Sequence, residues 1–140
     1  MSIGVSFWEL GFNRGAIAWT VNHDHHNLAV LGATDEDMAA AANRCAAIEG
    51  GFVIVNDGKV LAELSLPIAG LMSDDDPGTV ARQIKTLDRI ARELGPAPAL
   101  ADHPTDRLTF MNLTCDPWKY SLTDLGLFNL QTQERIPAVF

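Results

Sequence analysis

Hydrophobic and polar residues follow two different periods along the chain, and this pattern predicts both strands and helices. Short apolar runs rich in β-branched and aromatic residues predict strands over 3–8, 16–21, 28–31 and 52–55. Residues 60–64 are predicted to return antiparallel after a tight turn at 56–59. Because Asp-Gly supplies the positive φ angles that a two-residue hairpin turn needs, Gly58 is expected to adopt one.

Two helices are predicted from apolar residues spaced three and four positions apart. The first begins after Thr34, which is followed by three acidic residues, and ends before Gly50. The second begins after Asp76, with proline at its first position, and ends before Gly95. The expected core faces are Met38, Ala41, Ala42, Cys45 and Ile48 in the first helix, and Val80, Ile84, Leu87, Ala91 and Leu94 in the second.

The rest of the chain carries weaker signals. Residues 66–72 are apolar but interrupted by Pro67 and Gly70, which predicts a buried, irregular segment. A Pro/Ala-rich loop is expected over 96–106, a strand over 107–114 and a turn at 124–126. We therefore expect an α+β fold. It is a single layered domain over 1–140, with a mixed or mainly antiparallel β-sheet packed by about two main helices.

Composition narrows the class of partner. The chain has 140 residues, 47% apolar and 20% charged, which is typical of one globular domain. Ten basic and 18 acidic residues give a net charge of −8, which disfavours nucleic acids and anionic membranes as partners. No run reaches the roughly 18–20 apolar residues of a membrane span. Two isolated cysteines, Cys45 and Cys115, and the lack of a basic signal-peptide start predict a cytoplasmic protein.

Three of the four histidines lie in one run, His23-Asp24-His25-His26, directly after a predicted strand. Imidazole and carboxylate ligands suit Zn, Fe or Mn. The same residue types also form turns and caps. The pattern therefore leaves open a metal or substrate site and a hydrogen-bonded corner between two strands. The fourth histidine, His103, is expected at the surface.

A second acidic run, 74–76, precedes the second helix. We expect it to cap the helix and to be solvated, and cation binding is the alternative.

His23-Asp24-His25 matches the H-x-H motif that opens the metal site of barrel amidohydrolases. A (β/α)8 barrel takes about 250 residues, so this chain is too short to contain one. The motifs of the small zinc deaminases, H-x-E and P-C-x-x-C, do not occur either. The histidine run by itself therefore does not identify an enzyme.

An ordered set of motifs does carry a resemblance, which extends from about Gly4 to Phe140. The chain resembles the C-terminal domain of bacterial adenine deaminase. The motifs that carry this resemblance are Gly15-Ala16-Ile17-Ala18, His23-Asp24-x-His26-Asn27, Thr34-Asp35-Glu36-Asp37-Met38, Leu66-Pro67-Ile68-Ala69-Gly70-Leu71-Met72-Ser73 and Leu122-Thr123-Asp124-x-Gly126-Leu127.

The resemblance implies an activity and a set of site residues. The family's enzyme converts adenine and water to hypoxanthine and ammonia at metal ions in a preceding barrel domain. By this resemblance a divalent metal (Mn, Fe or Zn) would be bound by His23, Asp24 and His26. His25, which stands where the family has serine, is a further ligand candidate, and Asn27 and Ser73 would bind substrate. The chain is expected to lack the first part of the family domain.

Three functional hypotheses follow. The first is a non-catalytic accessory or assembly module of adenine deaminase, which works with an amidohydrolase barrel domain or subunit and forms a homo-oligomer. The alternative is a small independent metal-binding protein or metal-dependent hydrolase that uses the His23–His26 cluster. The third is a module with a purine ligand, stacked on Trp8, Trp19 or Trp118.

Two expectations concern geometry. His23, Asp24 and His26 are expected to converge, with His25 turned elsewhere. Residues 66–72 are expected to face a neighbouring domain or a second copy.

Overall fold

The computed structural model describes residues 11–23, 25–111, 113, 120–123 and 125–137. The predicted strand over 3–8 lies outside these residues. So do Asp24, Cys115, Trp8 and Trp118.

A four-stranded antiparallel sheet forms the middle layer of the fold, in the strand order β2-β1-β3-β4. Trp19 pairs with Phe52 and Phe52 pairs with Leu64, so these three large residues form one row across the same end of the sheet. The register between β3 and β4 shifts at Ile54/Val55. The strands are β1 Ala16–Trp19, β2 Ala29–Gly32, β3 Gly51–Asn56 and β4 Lys59–Ser65, and each confirms its prediction with small shifts at the ends.

The β3–β4 turn has the expected backbone. Asp57 has a φ of 50° and Gly58 a φ of 70°, as a type I′ turn requires. The carboxylate of Asp37 accepts hydrogen bonds from the backbone N–H groups of both residues, at 3.2 and 2.8 Å. Asp37 is only 5% exposed. An acidic residue expected in the first turn of a helix therefore also fastens that helix to the hairpin.

Helix α1, Asp35–Ala47, covers one face of the sheet. The Thr34 hydroxyl caps it, as predicted, by accepting a hydrogen bond from the Asp37 N–H. Ala41 and Cys45 are fully buried. Together with β-strand residues they form a core of small side chains, whose buried members are Ala16, Ala18, Ala41, Cys45, Val53 and Val55.

Helix α2, Pro77–Glu93, covers the opposite face with help from a shorter helix, α3, Pro104–Phe110. The Asp76 carboxylate caps α2 by accepting hydrogen bonds from Gly78 and Thr79. The bond from the Thr79 hydroxyl is the largest of several causes that hold the pKa of Asp76 below its usual value. This core is built from larger side chains, among them Ile17, Trp19, Phe52, Ile54, Leu64, Leu87, Leu94, Leu100 and Leu108.

The strand predicted over 107–114 is wrong, because residues 104–110 form α3. Pro104 stands at a helix start, where its missing N–H is harmless, and Asp106 lies in the first turn. The carboxylate of Asp88 on α2 accepts hydrogen bonds from the Thr105 N–H at 3.0 Å and hydroxyl at 2.7 Å. Tertiary contacts thus stabilise a seven-residue helix that is too short to be stable alone.

A second, three-stranded antiparallel sheet lies later in the chain, in the order β5-β6-β7. Its strands are Tyr120–Thr123, Gly126–Asn129 and Glu134–Ile136. Gly126, in the predicted turn, has a φ of 120°, whereas Asp124 lies outside the described residues. Both sheets are antiparallel and helices cover both faces of the larger one, so the α+β expectation is confirmed. Within the described part of the chain, no helix has the length and apolar character to cross a membrane.

Candidate functional site

A cleft of about 830 Å³ opens at the end of the large sheet. It lies between the sheet, helices α2 and α3, and the segment 66–75. Apolar side chains of the sheet and of α2 make up much of its lining, including Phe52, Leu64, Leu66, Val80 and Ile84. A mostly apolar cleft with a few polar groups is the usual form of a binding site.

The histidine run forms a hydrogen-bonded corner at one edge of this cleft. Buried Asn22 anchors it: the Asn22 Oδ1 accepts from the Trp19 indole N–H at 2.7 Å, and its Nδ2 donates to the Asn27 carbonyl at 2.7 Å. The His26 N–H donates to the Asn22 carbonyl at 3.1 Å, with His26 in the left-handed region at a φ of 52°. The hydrogen-bonded corner, one of the two predicted interpretations of the histidine run, is therefore present. The other interpretation, a metal or substrate site, depends on where the side chains of this corner lie.

Two histidines of the corner, His23 and His26, line the cleft. The backbone N–H of His23 donates to the Thr109 carbonyl at 2.9 Å. Its ring stacks on that of Phe110, with ring centroids 5.3 Å apart and planes inclined by 22°. These contacts join the corner to α3, so the β1–β2 connection and α3 form one continuous edge of the cleft.

His25 and Asn27 do not line the cleft. The Nδ1 of His25 accepts a hydrogen bond from the Asn27 N–H at 3.1 Å, which closes a local turn. Because Asp24 lies outside the described residues, the metal site of His23, Asp24 and His26 stays a prediction. Substrate binding by Asn27 also stays a prediction.

A metal centre within the described residues would need at least three ligating side chains close together. In this part of the chain, no group of three or more His, Cys, Asp or Glu side chains is placed to hold a metal ion. The described residues therefore give no support to the hypothesis of a small independent metal-binding protein. Nucleophilic chemistry at Cys45 is disfavoured as well, because burial raises the pKa of Cys45 to about 11 and keeps this thiol protonated near neutral pH.

Ser73 does line the cleft, beside Asp75. Its hydroxyl accepts a hydrogen bond from the Asp75 N–H at 3.1 Å, an arrangement that shapes the approach to α2. Asp106, at the start of α3, also lines the cleft. Substrate binding by Ser73 remains a prediction.

The segment 66–72 is irregular, as predicted, but not wholly buried. Leu66 is 5% exposed, whereas Ile68 and Met72 are 46% and 58% exposed. Its shape depends on the Thr20 hydroxyl, which donates to the Gly70 carbonyl at 2.6 Å and accepts from the Gly51 N–H at 2.8 Å. Because this anchor fixes the backbone, the loop presents two apolar side chains outward instead of folding them into the core.

The sequence interpretation missed the part of the cleft that α3 contributes, namely Thr105, Asp106, Thr109 and Phe110. They are missed because the sequence pattern predicts a loop over 96–106 and a strand over 107–114. Pro104 followed by Asp106, with apolar Leu108 and Met111 three residues apart, was the available helix signal.

Comparisons with known proteins agree on one family. The family model described as Adenine deaminase C-terminal domain matches residues 2–134. The chain is 51% identical over 120 residues to the adenine deaminase of Brucella anthropi, which covers 86% of this chain and 21% of that protein. It is 48% identical to the adenine deaminase of Brucella abortus and 43% identical to that of Thermosipho melanesiensis, each over 124 residues, 89% of this chain and 21% of the relative.

The chain thus spans about a fifth of the length of the curated relatives that it matches. The family match covers most of the chain, including the histidine corner, the anchored 66–72 segment and both cleft-lining helices. The chain belongs to the adenine deaminase C-terminal domain family.

Proposed function

We propose that this chain is an accessory domain of an adenine deaminase, which converts adenine and water to hypoxanthine and ammonia. The observation that carries the proposal is the extent of the match. Relatives called adenine deaminase are similar over nearly all of this chain, yet the chain spans only about a fifth of their length. The reacting groups would then belong to a separate barrel domain or subunit.

The contribution of this chain is assigned to its cleft. His23, His26 and Ser73 present polar atoms at the edges of an apolar depression. Such a surface supports a neighbouring active site by positioning its loops and by excluding water from it. A divalent metal ion (Mn, Fe or Zn) held by the catalytic domain would supply the activation of water. The purine ligand belongs, in this proposal, to the assembled enzyme.

The remaining partner and location hypotheses fit the same proposal. A homo-oligomer of the assembled enzyme and a cytoplasmic location remain predictions. The acidic surface, with a net charge of −8, continues to disfavour nucleic acid as a partner.

The test uses the adenine deaminase of Brucella anthropi in three forms. These are the complete enzyme, the enzyme without the 120-residue segment matched here, and a chimera in which this chain replaces that segment. Ammonia release from adenine is measured for each form and for the isolated chain.

We expect the deletion to lower kcat/KM by about 100-fold or more, because a misplaced active-site loop costs that much. The chimera should recover activity to within about tenfold of the complete enzyme, and the isolated chain should release no ammonia. A deletion form with full activity would contradict the accessory role. An isolated chain that deaminates adenine at the rate of the complete enzyme would show that it is itself catalytic.

A further inference from the structure

The apolar stripe of α2 is continuous in sequence but only half covered in the fold. Leu87, Ala91 and Leu94, in its second half, are at most 1% exposed. In the first half Val80 is partly exposed and Ile84 is 39% exposed, and both line the cleft. A helix normally buries its apolar stripe against a neighbouring element. Val80 packs partly against the core, whereas none of the described elements buries Ile84.

Other exposed apolar side chains surround the same opening. We define the apolar rim as Ile68, Met72, Ile84 and Phe110, which are 46%, 58%, 39% and 37% exposed. Three of them line the cleft, and Ile68 pairs with Met72 through a backbone bridge. Exposed apolar residues that cluster around one depression mark an interaction site, whereas single ones do not.

The apolar rim is held in place before any partner arrives. Thr20 anchors the 66–72 segment through Gly70. Asp88 anchors the start of α3, and the His23 N–H anchors its end through the Thr109 carbonyl. A surface with a fixed backbone loses little conformational entropy on binding, which favours a specific partner.

The charges at the cleft indicate what kind of partner fits. Asp75 and Asp106 are acidic, and among the described residues that line the cleft there is no lysine or arginine. The chain as a whole carries a net charge of −8. A second copy would bring carboxylates against carboxylates, which opposes association. A partner with an apolar projection flanked by arginine or lysine would be complementary.

We propose that the cleft and the apolar rim form the docking surface for the catalytic domain of the same enzyme, which inserts an apolar projection flanked by basic residues. This inference rests on the proposed function. Roughly four fifths of the length of the relatives lies outside the matched segment, so a large partner domain is available to cover this face.

The test compares amide hydrogen exchange in the isolated chain and in the chimera described above. Docking should slow exchange about tenfold or more at Leu71, Met72, Thr109 and Phe110, because opening of these segments then requires undocking. Exchange at the exposed Asp57–Gly58 turn, at the opposite end of β3, should be the same in both proteins. The Met72→Asp and Ile84→Asp substitutions should each abolish the added protection.

Val60→Asp is the matched control, because Val60 is 45% exposed but lies on β4 beside the turn and does not line the cleft. It should leave the added protection intact. Circular dichroism of each isolated variant establishes that it is folded, and Phe110→Ser replaces any aspartate variant that is not.

Different failures overturn different statements. If the chimera is active but its cleft amides exchange as in the isolated chain, the docking surface lies elsewhere and the proposed function stands. If the chimera is inactive while the complete relative is active, the proposed function fails and the docking inference fails with it. If the isolated chain dimerises through Met72, or if adenine alone protects the same amides, the occupant is a second copy or a small molecule and the inference is wrong.

Discussion

The two faces of the large sheet differ in how fully the described helices cover them. On the face covered by α1, the six buried core residues are alanine, cysteine and valine, and all have no exposed area. On the face covered by α2 and α3, the core contains tryptophan, phenylalanine, leucine and isoleucine, yet a cleft of about 830 Å³ remains. Small side chains allow α1 to pack close to the sheet. On the opposite face, the larger side chains leave the cleft unfilled at the end of the sheet.

Polar contacts reinforce the contrast. Around α1 they close the layer: Asp37 binds the β3–β4 turn, and Arg44 forms two 2.7 Å hydrogen bonds with Glu63 on β4. Around the cleft, the contacts of Thr20 and Asp88 hold loops and helix ends in place without covering the space between them. Among the described residues, those around α1 close one face of the sheet, whereas those around the cleft leave the other face open.

The largest effect is expected from enlarging an alanine on each face. Ala41→Leu, on α1, should lower the free energy of unfolding by about 3 kcal/mol, since overpacking a filled core forces strain. Ala81→Leu, on the cleft side of α2, should change it by less than about 0.5 kcal/mol, because the added atoms enter open space. Urea unfolding of both variants measures the difference, and equal losses would remove the distinction between the two faces.

A smaller effect is expected from the carboxylate that closes the α1 face. Asp37→Ala should lower the free energy of unfolding by about 2 kcal/mol, because two hydrogen bonds from the hairpin turn to a buried charged group are lost. Asp75→Ala, which removes an exposed carboxylate at the cleft, is the control and should cost less than about 0.5 kcal/mol. Similar losses in thermal or urea unfolding would mean that Asp37 does not fasten α1.

The smallest effect is expected from the Arg44–Glu63 pair, whose side chains are 43% and 35% exposed. The hydrogen bond that the Glu63 carboxylate accepts from Arg44 lowers the pKa of Glu63. The pair therefore stabilises the fold above the ordinary pKa of 4.5, and this stability is lost as the pH falls through the lower folded value.

Glu63→Gln should accordingly lower the Tm by about 2 °C at most at pH 7, because exposed pairs are weak. The difference should vanish at an acidic pH below the lowered folded pKa. In an Arg44→Met background the same substitution should have no effect at either pH. A Tm difference that persists at low pH would assign the loss to packing instead of charge.

Local signals in the sequence were sufficient for much of the fold. The Thr34 and Asp76 caps, the positive φ of Gly58 and the strands around the hairpin depend on residues close in the chain, and the structure confirms them. The strand predicted at 107–114 failed because α3 depends on Asp88, which lies 17 residues before Thr105. A short helix stabilised by a distant carboxylate leaves only a faint pattern in its own sequence.

The candidate site divides in the same way. The sequence singled out the histidine run and the resemblance to the adenine deaminase C-terminal domain, and the family is confirmed. It set His25 apart from His23 and His26 but did not set Asn27 apart; His23 and His26 line the cleft, whereas His25 and Asn27 do not. That separation follows from the hydrogen bonds of Asn22 and from the Thr109 carbonyl, which accepts from the His23 N–H.

The sequence by itself determined the described strands and helices as far as α2, the caps of α1 and α2, the acidic net charge and the family, because these depend on composition, neighbouring residues and ordered motifs. Only the tertiary structure decided that one face of the sheet is closed and the other open. Apolar residues recur at the same spacing along α2 from Val80 to Leu94. Only those residues of the stripe that a distant element covers are buried. How much of the stripe is covered depends on the side-chain volumes between sheet and helix. It also depends on anchors such as Asp88, which join residues far apart in the chain.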